Sequence, residues 1–359
     1  MERPLVTQVL WTLGRAGAER VVLDLAKRLP EHGYAVRVVA AGGGGEMLAD
    51  FQAANVSVTV GPETKNRRET LAFLRQEFTD HRPQILHTHL GADLWAGYLA
   101  RRHQIRPWLC TLHNDDRDDR WLVHRARGFM YRRADGLAAV SEVVKEYALK
   151  EFKVKDKQLT VIRNGIDVLA LRERGGASFH DVPRLISVGR LVAQKDQETL
   201  LRGLALVKRP WQLTVCGVGP LKGELERLAT SLGILPRVTF AGSVADVPAR
   251  LAEADVFCFP SRWEGQGLAL LEAAASGVPI IASDLPVFRE TFDEQALEFA
   301  APGSPEAWAE AMNYVLDDPR AALLRAAQAQ AIVREQFSLA EMVRRYAEWY
   351  RAYENPARQ

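Results

Sequence analysis

The chain has 359 residues, more than one ordinary hydrophobic core can organise, and this length favours two domains of similar size. Its 47% apolar and 26% charged residues are typical of a globular protein and exclude a disordered or fibrous chain. No apolar run reaches the ~18 to 20 residues of a membrane span, and residues 1–4 lack the apolar segment of a signal peptide, so we expect a cytoplasmic protein.

The net charge of +2 conceals a difference between the two halves of the chain. Residues 1–175 hold 28 Lys and Arg against 22 Asp and Glu, whereas the rest hold 19 against 23, so the halves are near +6 and −4. Basic charge of this kind suits an anionic acceptor or an anionic membrane surface. Ordinary solubilising charge explains it equally well.

Strand-like and helix-like segments alternate along the chain. Strands are predicted at 6–10, 35–40, 56–60, 85–88, 108–112 and 137–140. A first helix at 18–29 places its apolar side chains on one stripe. Residues 172–178 contain Gly-Gly among charged and small residues and predict a linker. The alternation then resumes, with strands at 184–188, 213–216, 238–241, 255–259, 279–282 and 297–300.

This alternation predicts an α/β fold of two doubly wound domains, at 1–172 and 173–335, each with a parallel sheet covered on both faces. Ligands bind such domains at the carboxyl ends of the strands. The last segment, 336–359, is helical and too aromatic for a free tail. Cys110, Cys216 and Cys258 each lie in a strand-like run, which predicts buried thiols rather than disulfides or a metal cluster.

A glycine-punctuated turn between a predicted strand and a predicted helix is the most informative motif. Glu264 and Glu272 stand eight positions apart around it, and Gly265 and Gly267 fall where the helix begins. Backbone N–H groups at a helix start attract anions. A ligand with hydroxyl groups at both ends and phosphate between them fits this pattern.

Three further strand ends carry candidate binding residues. Arg190 and Lys195 follow the strand at 184–188, and two cations there can stabilise a phosphate. Gly17, in a loop that also contains Gly14, lets a ligand approach the backbone before the first helix. His113 follows the strand at 108–112.

Two more histidines belong to the strand at 85–88. His87 and His89 alternate about Thr88, so we expect their side chains on one face, near the acceptor. Metal binding by this pair would need further ligands, which the sequence does not offer.

Together these motifs resemble glycosyltransferase family 4, the retaining enzymes of the GT-B fold. The resemblance covers essentially the whole chain and is strongest from residue 185 to 283. It implies GT-B architecture, with two tandem Rossmann-like domains facing across a crevice and a terminal helix that crosses back to the N-terminal domain. Arg163, Gln266 and the Gly14 position depart from the commoner family pattern.

The resemblance also implies a role for each motif. Glu264 would contact the donor sugar and Glu272 the nucleotide ribose, while Arg190 and Lys195 would hold the diphosphate. Gly17 would approach the donor, and His113 would contact the sugar or bridge donor and acceptor. The backbone at 242–244 would lie beside the base. Relatives often have an aromatic residue at the position of Gln266, and the amide of this departure would read a sugar hydroxyl. The full donor-binding set is Gly17, Arg190, Lys195, Gly242, Val244, Glu264, Gly265, Gln266, Gly267, Leu268 and Glu272, with Glu264, His113, Arg190 and Lys195 as catalytic residues.

An Asp-x-Asp arrangement occurs at 115–119, and a different glycosyltransferase fold uses such a pair to hold a divalent metal. Arg117 and Arg120 interrupt and follow this cluster, and the other motifs handle phosphate with cations of the chain itself. We therefore expect no metal and no cofactor besides the nucleotide sugar.

The expected activity is retaining transfer of a sugar from a nucleoside diphosphate sugar, in this family commonly a UDP-sugar, to a hydroxyl acceptor. A glycan or lipid-linked glycan of cell-envelope polysaccharide biosynthesis is the expected acceptor, reached in the cytoplasm or at the inner face of the membrane, with no nucleic acid partner. Two alternatives are a GT-B sugar nucleotide epimerase and a non-catalytic nucleotide-sugar-binding protein.

Overall fold

The structure is a computed structural model that describes residues 3–64, 66–114, 121–175, 178–244 and 246–354. The chain divides into two compact units, one formed by Met1–Gly165 with Leu339–Gln359 and the other by Ile166–Ser338. Both domain limits expected from the sequence, after residues 172 and 335, fall inside the second unit.

The first unit alternates strands and helices from its beginning. In chain order they are β1 Leu5–Leu10, α1 Gly17–Arg28, β2 Ala35–Ala40, α2 Leu48–Ala53, β3 Ser57–Val60, α3 Arg67–Asp80, β4 Ile85–His89, α4 Asp93–Arg102, β5 Trp108–Leu112, α5 Trp121–Tyr131, β6 Gly136–Ala139, α6 Glu142–Tyr147 and β7 Leu159–Val161. Within the described residues the strands form one parallel sheet of seven, in the order β3-β2-β1-β4-β5-β6-β7.

The second unit repeats this organisation. Its elements are β8 Arg184–Val188, α7 Gln197–Leu206, β9 Gln212–Cys216, α8 Lys222–Ser231, β10 Val238–Gly242, α9 Val247–Ala252, β11 Val256–Phe259, α10 Leu268–Ala275, β12 Ile280–Ser283, α11 Pro286–Arg289, β13 Glu298–Ala300, α12 Pro305–Asp317 and α13 Pro319–Gln336. Its parallel sheet, counted over the described residues, has six strands in the order β10-β9-β8-β11-β12-β13.

Each sheet reverses its strand order once, and these two points position the candidate sites. The reversal lies between β1 and β4 in the first unit and between β8 and β11 in the second. Loops leaving neighbouring strands diverge there to opposite faces of the sheet, which leaves room for a ligand at the carboxyl ends.

Apolar side chains cover both faces of the first sheet. One cluster includes Trp108, Leu137 and Phe152, and the other includes Val22, Val38 and Phe51 on the side of α1 and α2. In the second unit the core gathers around Trp211, Leu213 and Trp308. The three cysteines are free and buried, which confirms the sequence interpretation.

The last helix, α14 Leu339–Glu354, belongs to the first unit and packs on α1 and the 3₁₀ turn Leu29–His32. Tyr346, Trp349 and Tyr350 are buried there. Because these aromatic side chains face the first sheet, the end of the chain becomes part of that unit's core.

All twelve predicted strands are confirmed, each within one residue at either end. The three-residue edge strand β7 was not predicted, because so short a run carries no periodic signal. The predicted linker at 172–178 differs from the structure: the Arg174 guanidinium is buried against the fully buried Asp255 carboxylate at 2.9 Å, which anchors this segment in the second unit.

No helix in the described part of the chain is long and apolar enough to cross a membrane.

Candidate functional site

The loops that follow β8 and β11 meet at the reversal point of the second sheet. The Arg262 N–H donates to the Gln194 carbonyl at 2.8 Å, and the Gln194 side-chain amide donates to the Trp263 carbonyl at 2.9 Å. These reciprocal bonds hold the two loops side by side. Segments more than sixty residues apart in sequence therefore form one continuous surface.

A buried ion pair lies at the centre of this surface. The Lys195 ammonium contacts the Glu264 carboxylate, with side chains 15% and 8% exposed. The Ser261 hydroxyl donates to the same Glu264 oxygen at 2.7 Å, and the ammonium lies 4.7 Å from the centre of the Phe259 ring. Glu264 is thus held in one orientation by two donors, while Lys195 is positioned between a carboxylate and an aromatic face.

A second ion pair connects the same two loops. Asp196 is buried, and the Arg262 guanidinium binds it through Nε at 2.9 Å and Nη2 at 3.0 Å. Thr199 donates to Asp196 at 2.8 Å at the start of α7. Sequence reasoning missed Asp196, Arg262 and Ser261, because an ion pair across this separation leaves no local pattern.

Helix α10 begins directly beside the Lys195–Glu264 pair. Gly267 caps it with φ +83°, and an added Cβ would lie 3.0 Å from Phe288 and 3.1 Å from Phe259. The first N–H groups of a helix have no intrahelical acceptor, so this end can bind an anion. Gly265 and Gln266 are buried in the preceding turn.

The two glutamates lie on opposite sides of this helix start, as predicted from their spacing. Glu264 precedes the cap, and Glu272 lies in the second turn of α10. Leu268, Ala269 and Glu272 form the partly exposed side of a helix whose other residues are buried.

Arg190 and the residues at the ends of β9 and β10 lie at the same edge of the second sheet. The Arg190 carbonyl accepts from the Gln197 side chain at 3.1 Å, while its side chain is exposed. A Cβ on Gly217, which has φ +147°, would come within 1.9 Å of the Gly189 carbonyl, so the loop after β9 can approach this segment only as glycine. Gly242, with φ +68°, is the last residue of β10, and Val244 follows that strand.

In the first unit, Gly17 is the exposed first residue of α1. The loop before it is held by bonds from Leu13 N to Gly44 O at 3.1 Å and from Met47 N to Leu13 O at 3.0 Å. A Cβ on Gly45 would lie 2.3 Å from the Leu13 carbonyl. The glycine run at 42–45, not singled out from the sequence, thus supports the Gly14–Gly17 loop.

The three strand-end histidines of the first unit lie together. His87 and His89 have ring centres 4.1 Å apart, which confirms that they share a face, and His89 Nδ1 lies 2.8 Å from His113 Nε2. Desolvation lowers the pKa of His87 and His89 well below the usual value and that of His113 to about 3. All three are therefore neutral at physiological pH.

Both ring nitrogens of His87 and of His89 are hydrogen-bonded to protein atoms. This pairing satisfies the ring nitrogens of both buried imidazoles. The aspartate cluster at 115–119 lies outside the described residues.

The structure therefore brings Lys195, Glu264, Gln266 and the start of α10 together in the second unit, with Arg190 earlier on the same loop as Lys195. Glu272 lies further along the same helix. Gly17 and His113 belong to the first unit, at the carboxyl edge of its sheet.

Comparison with known proteins identifies the family of this chain. The family model for glycosyl transferases group 1 matches residues 173–332, and the model for glycosyltransferase family 4 matches residues 15–168. Glycogen synthase of Mycobacterium tuberculosis is 28% identical over an alignment of 298 residues that covers 77% of this chain and 71% of the relative.

A second relative is the GDP-mannose-dependent alpha-(1-6)-phosphatidylinositol monomannoside mannosyltransferase of the same organism. It is 32% identical over an alignment of 182 residues that covers 47% of each chain. Among solved structures, Anabaena HepE in complex with UDP and glucose superposes with a TM-score of 0.87 at 21% identity, covering 97% of this chain and all of that one. The two domain matches and the shared fold lead to one conclusion: this chain belongs to glycosyltransferase family 4 and is a glycosyltransferase with the GT-B fold.

Proposed function

We propose that the protein transfers a sugar, with retention of anomeric configuration, from a nucleoside diphosphate sugar to a hydroxyl group of a glycan or lipid-linked glycan. The observation that carries this proposal is the Lys195–Glu264 pair beside the start of α10. It combines a cation, a carboxylate and the amino-terminal end of a helix at the reversal point of a parallel sheet, an arrangement that suits a sugar diphosphate.

The ion pair explains how donor binding organises the site. A diphosphate carries more negative charge than the Glu264 carboxylate, so it competes for the Lys195 ammonium. When Lys195 turns to the phosphate, Glu264 keeps its bond from Ser261 and gains the capacity to accept from a sugar hydroxyl. Binding of the donor thereby releases the group that orients the sugar.

Charge stabilisation during transfer then falls to groups of the chain itself. As the sugar leaves, negative charge grows on the departing phosphate, and Lys195, Arg190 and the N–H groups of α10 oppose it. We propose that this set removes the need for a divalent metal. The acceptor hydroxyl attacks from the face on which the phosphate departs, and the phosphate receives its proton.

Other residues would distinguish one donor from another. Glu272 would accept hydrogen bonds from the ribose, and the backbone at Gly242 and Val244 would lie beside the base. The buried Gln266 amide, within the turn before α10, would read a sugar hydroxyl. A carboxamide both donates and accepts, whereas an aromatic ring at this place would only stack.

We infer UDP as the carrier. The structural neighbour HepE is bound to UDP and glucose, whereas one sequence relative is named for GDP-mannose. A thermal-shift screen of UDP, GDP and their sugars separates the two, since a bound ligand raises the melting temperature by mass action. UDP-sugars should raise it most.

The decisive experiment incubates the protein with the selected donor and a panel of glycan acceptors, and reads the anomeric configuration of the product by NMR. A new glycoside with the anomeric configuration of the donor is expected. An inverted product would refute retention, and an epimerised nucleotide sugar formed without acceptor would replace transfer with epimerisation.

We further propose that the protein works at the cytoplasmic face of an anionic membrane, through an exposed stripe on α5. Trp121, Leu122 and Phe129 are 66%, 70% and 49% exposed, and Arg125 and Arg133 stack on the rings of Trp121 and Phe129. Residues 121–133 contain four arginines and no carboxylate. Aromatic rings that partition into the headgroup region beside arginines that bind lipid phosphate suit an anionic bilayer.

Vesicle sedimentation tests this membrane role. The protein should pellet with vesicles of phosphatidylcholine mixed with phosphatidylglycerol, and less with phosphatidylcholine alone. The double variant Trp121→Ser, Phe129→Ser should lose this binding, while Leu324→Ser, which removes another exposed apolar side chain, should keep it. Equal binding by all three proteins would exclude the α5 stripe.

A further inference from the structure

A continuous set of buried polar side chains connects α14 to His113 in the first unit. His113 contacts His89, His89 contacts Gln8, and Gln8 contacts Tyr350, over distances of 2.8, 2.6 and 3.1 Å. Tyr350 also lies 2.7 Å from His87 Nδ1. The set continues from His87 Nε2 to Thr111 Oγ1 at 2.7 Å and from there to Tyr346 at 3.2 Å.

Apart from His113, these groups have almost no access to solvent. Gln8, His87, His89, Thr111, Tyr346 and Tyr350 are all buried. A buried donor or acceptor without a partner is strongly unfavourable, so each group must bond to its neighbour in the set. The three imidazoles are neutral, since burial lowers their pKa values, and a neutral imidazole has one donor and one acceptor.

The orientation of the Gln8 carboxamide determines the direction of the bonds from Gln8 to His113. Its oxygen faces His89 Nε2, which must then carry the proton and donate. His89 Nδ1 is consequently an acceptor, so the proton of the next bond sits on His113 Nε2. Rotation of the Gln8 amide by half a turn would reverse this series and put the proton of His113 on Nδ1.

Tyr350 bonds to the other end of the Gln8 amide. The Gln8 NH₂ group donates to the Tyr350 oxygen, and the Tyr350 hydroxyl donates to His87 Nδ1. His87 then donates from Nε2 to Thr111. Gln8 lies on β1 and Tyr350 on α14, 342 residues later, so the end of the chain supplies this bond.

We propose that Gln8 and Tyr350 are positioning residues that hold His113 as the Nε2–H tautomer, with Nδ1 left to accept a hydrogen bond from a hydroxyl group of the sugar or the acceptor. His113 is the partly exposed member of the set, and among the described residues no protein hydrogen bond to its Nδ1 is observed. The opposite tautomer would present a donor at this position. The ligand's identity rests on the proposed function, whereas the tautomer does not.

Nitrogen NMR of the histidine-labelled full chain measures the tautomer directly. Long-range proton–nitrogen spectra should show His113 protonated at Nε2 and unprotonated at Nδ1, with the signal assigned by its loss in His113→Gln. Protonation at Nδ1, or at both nitrogens at neutral pH, would overturn the proposal.

Two substitutions test the set of hydrogen bonds that connects Tyr350 to His113. Gln8→Met removes both of its bonds, and Tyr350→Phe removes the group that orients the amide, so each should give a mixture of His113 tautomers and a kcat about tenfold lower. Tyr353→Phe, on the same helix outside the set, should leave the spectrum unchanged. A single unaltered tautomer in the folded Tyr350→Phe protein would also refute the proposal.

The two proposals fail separately. An Nε2–H tautomer in a protein that transfers no sugar would remove the proposed function and leave the network intact. Sugar transfer by a protein whose His113 is protonated at Nδ1 would refute the proposed tautomer and leave the proposed function intact.

Discussion

The substitution Lys195→Met removes one half of the buried ion pair and keeps the apolar stem over Phe259. Glu264 would then be a carboxylate, 8% exposed, with the Ser261 hydroxyl as its remaining bond to a described side chain. Leaving one partner of a buried pair uncompensated costs about 3 to 5 kcal/mol. Because Ser261 still donates to Glu264, we expect the unfolding free energy to fall by about 3 kcal/mol, the lower end of this range.

The same substitution removes the cation that opposes charge on the leaving phosphate. Loss of one such group lowers turnover by about 100-fold or more. The double variant Lys195→Met, Glu264→Gln has no uncompensated charge, so most of the lost stability should return. Its activity should not, because the cation is still missing.

Urea unfolding of the second unit and kcat with a saturating donor separate these two effects. Arg202→Ala serves as the control, since it removes a cation from an exposed pair with Glu198 in the same unit and should change neither quantity by much. Near-normal kcat in the folded Lys195→Met protein would refute the diphosphate role. Recovery of kcat in the double variant would show that Lys195 acts only by neutralising Glu264.

Three further predictions concern the helix start, the metal and pH. Gly267→Ala should lower the unfolding free energy by about 1 to 3 kcal/mol, because the residue has φ +83°. Calorimetry should also show that this variant binds UDP more weakly. The control Gly223→Ala, within α8, should leave the unfolding free energy unchanged or raise it. Excess chelator should leave turnover intact, and a strict requirement for manganese would revive the Asp-x-Asp interpretation. Burial lowers the pKa of His87, His89 and His113, so the unfolded chain binds protons that the folded unit does not. The unfolding free energy should therefore fall as the pH drops below about 6.5, by up to about 1.4 kcal/mol per pH unit for each histidine, and urea titrations of His113→Gln from pH 7 to 5 should show a shallower loss.

The strands and the glycine turns were accessible from the sequence because their signals are local. A run of apolar residues ending in glycine predicts a buried strand and a turn wherever it occurs. This placed Arg190 and Lys195 after a strand, Glu264 before a helix and Glu272 within that helix. Spacing alone also predicted that His87 and His89 share a face, since side chains alternate along a strand.

Contacts between distant segments were not accessible. Nothing local marks Asp196 as the partner of Arg262, or Ser261 as a donor to Glu264, because each contact depends on how two loops leave neighbouring strands. The segment at 172–178 was interpreted as a linker from its composition, whereas Arg174 is buried against Asp255, eighty-one residues later.

The sequence by itself thus determined the fold class, the family and the loops that carry the candidate donor site, since these follow from periodicity and short motifs. Only the tertiary structure decided that Lys195 is paired with Glu264 and that Tyr350, from the final helix, reaches the histidines of β4. Hydrogen bonds and ion pairs act over about 3 Å, and folding alone determines which distant residues approach that closely.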